Sequence, residues 1–448
     1  MRMRKVLMSV AAGLLAAATF SACSSPNAQG GGDSASGPIT VEFWHSMTGA
    51  ANGPELDKLI AEFNAQNTDN ITVKGVFQGT YDELITKYKA AAQSGQTPTM
   101  AQVYDIGSRF MIDSGMITPM QSFIDADKYD VSDLQPNVLG YYTVNNQLYS
   151  MPFNTSMPLF YYNKDVFKKA GLDPDKPPTT LAGIMDAAKA IKAAGAAKYP
   201  FTAAVYGWFL EQEIATMGQL YCTADNGRGA DAATKITFDN EVGVQLYTWW
   251  REMVQQGLST NVGTDTAQAQ SIFTSGASAM TLESTGALGG FVKNAAFQVG
   301  AGTFPSEGDT TSGPAIGGAS LWISGKGHSQ AEQNAAWKFI QFLASPQSQA
   351  EWHVATGYFP ISKGALDQPN DVTYRQQMPQ FDVAVQQLAN TPVTTATQGC
   401  NAGVMPQSRV ASQDALTKIL TTNADVQQTM TDAAQSATDQ LTAYNQSV

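Results

Sequence analysis

PFNTSMPLFYYNKDVFKKAGLDPDKPPTT, residues 152–180, decides the fold class. MPLFYYN (157–163) is a short apolar and aromatic run without Gly, the pattern of a buried strand. NKDVFKKAG reads as a short helix opened by Asp165, with Phe167 on one face and Lys168 and Lys169 on the other. Gly171 can close that helix in a left-handed conformation. Pro174, Pro177 and Pro178 keep the chain extended, and Thr179 and Thr180 can cap the next helix, LAGIMDAAKAIKAAG (181–195). Strand, short helix, Pro-rich turn and capped helix together predict α/β architecture.

Upstream, ITVEFWHSM (39–47) alternates like a half-buried strand, and NGPELDKLIAEFNAQN (52–67) is an amphipathic helix with Leu56, Leu59, Ile60 and Phe63 inward. ITVKGVFQG and TYDELITKYKAAAQSG repeat that strand–helix pair, and TPTMAQVYDIGSRF (97–110) is a third strand running into a helix. The alternation predicts a mostly parallel sheet, whose ligands lie beyond the carboxyl ends of its strands. That rule points at Trp44–Met47, Tyr81 and Tyr104–Asp105. No Gly-rich phosphate fingerprint follows these strands, which argues against a nucleotide fold.

Downstream, NEVGVQLYTWWREMVQQGL (240–258) is an amphipathic helix in which Trp249 and Trp250 serve packing. FTSGASAMTLES (273–284) reads as helix end, turn and strand, and GPAIGGASLWISGKG (313–327) as a strand starting at Gly317 and Gly318. CNAGVMPQSRV (400–410) reads as a Gly/Pro-punctuated, nearly uncharged loop that carries Arg409.

The first 22 residues place Arg2, Arg4 and Lys5 before an apolar run, a secretory signal rather than a spanning helix. FSAC resembles a lipobox, which would make Cys23 the lipidated residue; ordinary cleavage leaving Cys23 free is the alternative. Residues 23–37 form a Gly/Ser tether suited to a protein held off a membrane. No second apolar run is long enough to span a bilayer, and the remainder is too long for one ordinary core, so two lobes are expected. The net charge of −12 includes +3 from residues 1–22, leaving −15 on the rest. That balance argues against nucleic acid, and a phosphate ligand would need a local donor cluster. Cys222 and Cys400 most simply form a disulfide in an oxidising compartment. Two cysteines and the scattered His45, His328 and His353 show no metal-ligand spacing, and no cofactor is expected.

FNTS followed by YYNKDVFKKAGLDP resembles the first crossing between lobes in the extracellular solute-binding proteins of ABC importers, the class that includes maltose binders. EFWHSMTG, FQGTYDEL, QVYDIG, GGASLW, TGY and MPQSR are similar to the branch that binds sn-glycerol-3-phosphate and glycerophosphodiesters. The resemblance implies a two-lobed fold with three crossings, near residues 153, 318 and 357. One lobe would comprise 38–153 with 319–356, the other 154–318 with 357–448. It also implies a cleft lined by Tyr81, Asp105, Asn154, Ser156, Trp208, Ser284, Gly318, Tyr358 and Arg409. Read without the resemblance, Tyr81 is a first-turn helix residue, Asp105 a cap, Ser284 an N-cap and Trp208 core packing. Asp105 replaces the Glu of some members, and Val205 stands where some have a second Trp; both changes leave room for a bulkier diester.

Arg409 would grip phosphate with two parallel hydrogen bonds, helped by the serines, the Gly318 N–H and Tyr358. Asp105 and Tyr81 would take glycerol hydroxyls or a choline end, and Glu283 would point away from the anion. The implied protein is a monomeric, non-enzymatic, lipid-anchored receptor outside the cytoplasm that delivers its ligand to permease subunits. An oligosaccharide binder of the same fold is the alternative, and a glycerophosphodiester-hydrolysing enzyme a remote one, since no GxSxG, HExxH or P-loop is present.

Overall fold

At Met157 the chain passes from one sheet to another without a loop. The computed structural model describes residues 37–308 and 312–448. The signal segment, Cys23 and the tether up to residue 36 lie outside them. The strands are β1 (Ile39–His45), β2 (Ile71–Phe77), β3 (Met100–Tyr104), β4 (Ile117–Thr118), β5 (Thr143–Val144), β6 (Gln147–Leu148), β7 (Met151–Ser156), β8 (Pro158–Asn163), β9 (Tyr199–Ala203), β10 (Ser259–Asn261), β11 (Ser278–Ser284), β12 (Val299–Thr303) and β13 (Gly317–Ser324). One sheet runs β2-β1-β3-β13-β4 with β7 beside β13; the second runs β10-β9-β11-β8-β12.

Both sheets are mixed rather than mostly parallel. β1 pairs in parallel with β2 and β3, and β9 with β10 and β11, as expected for strands joined by local helices. The strands that cross between halves run the other way. β13 is antiparallel to β3, β4 and β7, and β8 is antiparallel to β11 and β12. Every residue of β7 and β8 is buried, and FNTS (153–156) lies within β7, paired with β13 in the first sheet.

The second passage between sheets lies between Thr303 and Gly317. Later, the helix Pro346–Thr356 packs on the helix Asn52–Gln66 beside the first sheet, whereas Gln380–Asn390 packs on β12. Leu56, Leu59, Ile60 and Phe63 are buried on Asn52–Gln66, as the apolar spacing required.

Three local readings change. The short helix Lys164–Lys169 is opened by Asn163, whose side chain accepts from the Asp165 and Val166 N–H groups, so Asp165 is not the cap. Thr180 does cap Leu181–Ala193, accepting from the Gly183 N–H. Arg409 sits near the start of a long helix, Met405–Thr422, not in a loop; Pro406 in its first turn is compatible with helix because no N–H bond is lost there. Asp105 opens a 3₁₀ turn, Asp105–Gly107, without capping it.

Cys222 and Cys400 are bonded, their Cα atoms 5.9 Å apart across a sequence separation of 178. A cross-link closing a loop of that size stabilises by roughly 5 kcal/mol on chain-entropy grounds, and less where the reduced chain keeps structure. Replacing both cysteines with alanine is predicted to lower unfolding stability by about 2–5 kcal/mol in a urea titration.

Candidate functional site

The carboxyl ends of β3, β7 and β11 and the start of β13 meet around a cavity of about 540 Å³. Tyr81, Asp105, Ser156, Trp208, Ser284, Gly318, Tyr358 and Arg409 all line it. Asn154 does not; it stands behind the wall and supports it.

That support is a chain of amides and hydroxyls. The Ser46 N–H donates to Gln102 Oε1 (2.8 Å), Gln102 Nε2 donates to Asn154 Oδ1 (2.7 Å), and Asn154 Nδ2 donates to the Tyr81 hydroxyl (2.8 Å). With Gln102 and Asn154 fully buried, the relay fixes where the Tyr81 hydroxyl meets the cavity. Tyr81 is the first residue of the helix Tyr81–Ser94, fixed by a capping box between Thr80 and Glu83, and its ring stacks on Tyr104. Gln102 was not among the residues singled out from sequence.

Ser284 Oγ accepts from the Gly286 N–H, which leaves its own proton free to donate. Tyr358 follows the left-handed Gly357 and stacks on Trp352, its ring packed where a Cβ on Gly286 would collide. Gly317 and Gly318 are required by space. A side chain on Gly317 would strike the Trp208 indole, and one on Gly318, at φ +87°, would strike the Asn154 carbonyl. Trp208 opens the helix Trp208–Thr216, and its indole N–H is buried with no hydrogen-bond partner among the described residues. An unpaired buried donor is costly, so this N–H is set for an acceptor in the cavity.

Arg409 departs from its expected role. Nε and Nη2 donate to the two Glu211 oxygens at 2.7 Å each, Nη2 also donates to Asp105 Oδ2 at 2.9 Å, and Nη1 donates to the Tyr206 hydroxyl at 3.3 Å. The fork that would hold a phosphate bidentately is taken by Glu211. Local sequence could not reveal this partner, which lies 198 positions away. Burial raises the Asp105 carboxyl, with Arg409 opposing. Burial likewise raises Glu211 to about 7, Arg409 opposing and Asp105 adding to the rise. Two carboxylates sharing one guanidinium make this end neutral to negative, which suits hydroxyl donors and disfavours phosphate.

Glu283 also lines the cavity instead of pointing away from it. Its Oε1 accepts from the Ser284 N–H (2.7 Å) and its Oε2 from Gln270 Nε2 (3.1 Å).

Residues 58–380 match the family described as bacterial extracellular solute-binding protein. The chain belongs to that family. It is 36% identical over 417 residues to the sn-glycerol-3-phosphate-binding periplasmic protein UgpB of Escherichia coli K12, covering 91% of this chain and 94% of that one. UgpB from Mycobacterium tuberculosis, solved in complex with glycerophosphocholine, superposes with a TM-score of 0.78 at 26% identity, over 92% of this chain and 99% of that one. The cyclic alpha-maltosyl-1,6-maltose binding protein from Arthrobacter globiformis shares the fold, with a TM-score of 0.70 at 22% identity over 90% of this chain and 99% of that one. The architecture is the two-lobed, maltose-binding-like one that the crossing motif implied.

Arg409→Ala would leave Asp105 and Glu211 buried without a counter-charge, a loss of about 3–5 kcal/mol by urea unfolding. Glu211 also predicts a pH dependence. Because its folded-state value lies above the ordinary 4.5, its contribution to stability is complete below 4.5 and is lost as pH rises through about 7. Glu211→Gln removes that part of the slope, which a series of unfolding titrations across this range measures.

Proposed function

We propose that this protein is the extracytoplasmic substrate-binding lipoprotein of an ABC importer, anchored through Cys23, that captures glycerophosphodiesters and delivers them to the permease. Glycerophosphocholine is favoured over sn-glycerol-3-phosphate. The supporting observation is the two-ended cavity. Neutral donors (Ser156, Ser284, the Gly318 backbone and Tyr358) line one part of the wall, and the Asp105–Arg409 pair lines another.

Phosphate goes to the neutral donors, where each hydrogen bond to its charge contributes about 1.5–3 kcal/mol. Glycerol hydroxyls go to Asp105, with Arg409 fixing that carboxylate in place rather than gripping phosphate. Trp208 covers the glycerol carbons, and its free N–H meets a ligand oxygen. Residues 38–156 with 317–356 form one lobe and 157–316 with 357–448 the other, the bounds implied by the resemblance shifted so that all of β7 and β13 stays with the first sheet. Tyr81 and Asp105 come from the first lobe, and Trp208, Ser284 and Arg409 from the second. A ligand touching both stabilises the closed form, which the monomeric receptor presents to the membrane subunits.

Calorimetric titration of the protein with glycerophosphocholine, sn-glycerol-3-phosphate and maltotriose tests the reading. Glycerophosphocholine is predicted to bind with roughly micromolar or tighter affinity, intact and without turnover, and maltotriose not to bind. Ser156→Ala and Ser284→Ala should each weaken glycerophosphocholine by about 1.5–3 kcal/mol. Saturable maltotriose binding with no response to either phosphate compound would replace this reading with the oligosaccharide one.

A further inference from the structure

Beyond Ser284 the cavity continues into an arm between the helices Thr266–Thr274 and Leu288–Asn294. Gln270, Glu283, Phe291 and Asn294 line it, and the space over Gly290 is open. Asp105, Glu283 and Arg409 are the Asp, Glu, Lys or Arg side chains of the whole cavity wall. Asp105 is paired with Arg409, whereas Glu283 is in no ion pair among the described residues, although only 8% of it is exposed. Its named partners are both N–H donors, so both of its oxygens act as acceptors and the carboxylate form is the one the geometry suits. Burial raises this carboxyl above its ordinary value, with the bonds from Ser284 and Gln270 opposing. Burial also raises the Tyr358 phenol, with its bonds to Asn154 and Tyr81 opposing and the Glu283 charge adding to the rise.

An almost buried carboxylate without a cation is unfavourable. It also stands beside the serine that the phosphate reading uses. A doubly charged phosphomonoester there would be repelled by it. A diester whose second alcohol carries an ammonium two carbons from the phosphate would bring a positive charge to the carboxylate.

We propose that Glu283 is the head-group determinant of the site: it receives a ligand ammonium in the arm and so selects cationic-head glycerophosphodiesters over phosphomonoesters and neutral-head diesters. This rests on the glycerophosphate reading given above.

The test compares wild type, Glu283→Gln and Glu283→Asp by calorimetry against glycerophosphocholine, glycerophosphoglycerol and sn-glycerol-3-phosphate. The amide keeps the acceptor for the Ser284 N–H but drops the charge. Glu283→Gln should weaken glycerophosphocholine about tenfold, equal to about 1.4 kcal/mol, and tighten sn-glycerol-3-phosphate, reversing part of the preference. Glu283→Asp, which keeps the charge, should restore most of the preference. A parallel loss for all three ligands, or an unchanged preference, would overturn the inference and leave the glycerophosphate reading standing. Wild-type protein that binds none of the three would remove both.

Discussion

One guanidinium between two carboxylates organises the ligand end of this molecule. Asp105 sits at the carboxyl end of β3 in the first sheet. Glu211 lies on Trp208–Thr216 and Arg409 on Met405–Thr422, and both of those helices pack on Glu241–Gln255 in the other half. The Arg409–Asp105 bond therefore joins the two halves across 304 positions of sequence, with both side chains 5% exposed. A buried ion pair of this kind is weak evidence for net stability, but removing one partner strands the others. Gly207 belongs to the same arrangement. A side chain there would run into Ser412 and the Arg409 backbone, so only glycine lets the two helices approach closely enough for Glu211 to reach the guanidinium.

The commitment of Arg409 to Glu211 divides the cavity electrostatically. A phosphate anchored on Arg409 would have to displace an existing bidentate carboxylate and approach a second one. At the other end, hydroxyl and backbone donors offer hydrogen bonds with no guanidinium–carboxylate pair to displace, although the Glu283 carboxylate stands beside Ser284. The two ends of a glycerophosphodiester have the same division: hydroxyls that donate, and a phosphate that accepts. Family membership and the shared two-lobed fold place the chain among solute receptors. A phosphate-bearing ligand rather than a neutral sugar is proposed from the hydroxyl and backbone donors of Ser156, Ser284, Gly318 and Tyr358 in the same cleft.

Much of this was legible in the sequence because it depends on local pattern. The buried strand 157–163, the Thr180 cap and the inward residues of Asn52–Gln66 follow from periodicity and capping chemistry over a few positions. The site residues were legible through motif resemblance, and the fold brings all but Asn154 to one cavity. What escaped depends on contacts remote in sequence. Glu211 looks like an ordinary polar helix residue until Met405–Thr422 lands beside it. Gln102 looks like a polar interruption in a strand until Asn154 and Ser46 meet its amide. Glu283 was expected to point away because its charge opposes an anion, yet it lines the cavity beside Ser284, its carboxylate held by the Ser284 N–H and Gln270. Arg409 was misplaced in a loop because Pro406 was read as a breaker, when proline in a first helical turn is permitted.

The central claim is that phosphate binds among the hydroxyls and the Gly318 backbone while Arg409 remains locked to Glu211 and Asp105. A crystal structure of the protein with glycerophosphocholine tests it most directly. The account predicts phosphate oxygens within hydrogen-bond distance of Ser156, Ser284 and Tyr358, glycerol hydroxyls on Asp105, and the Arg409–Glu211 pair intact. Phosphate bound bidentately by Arg409, with Glu211 turned away, would contradict it.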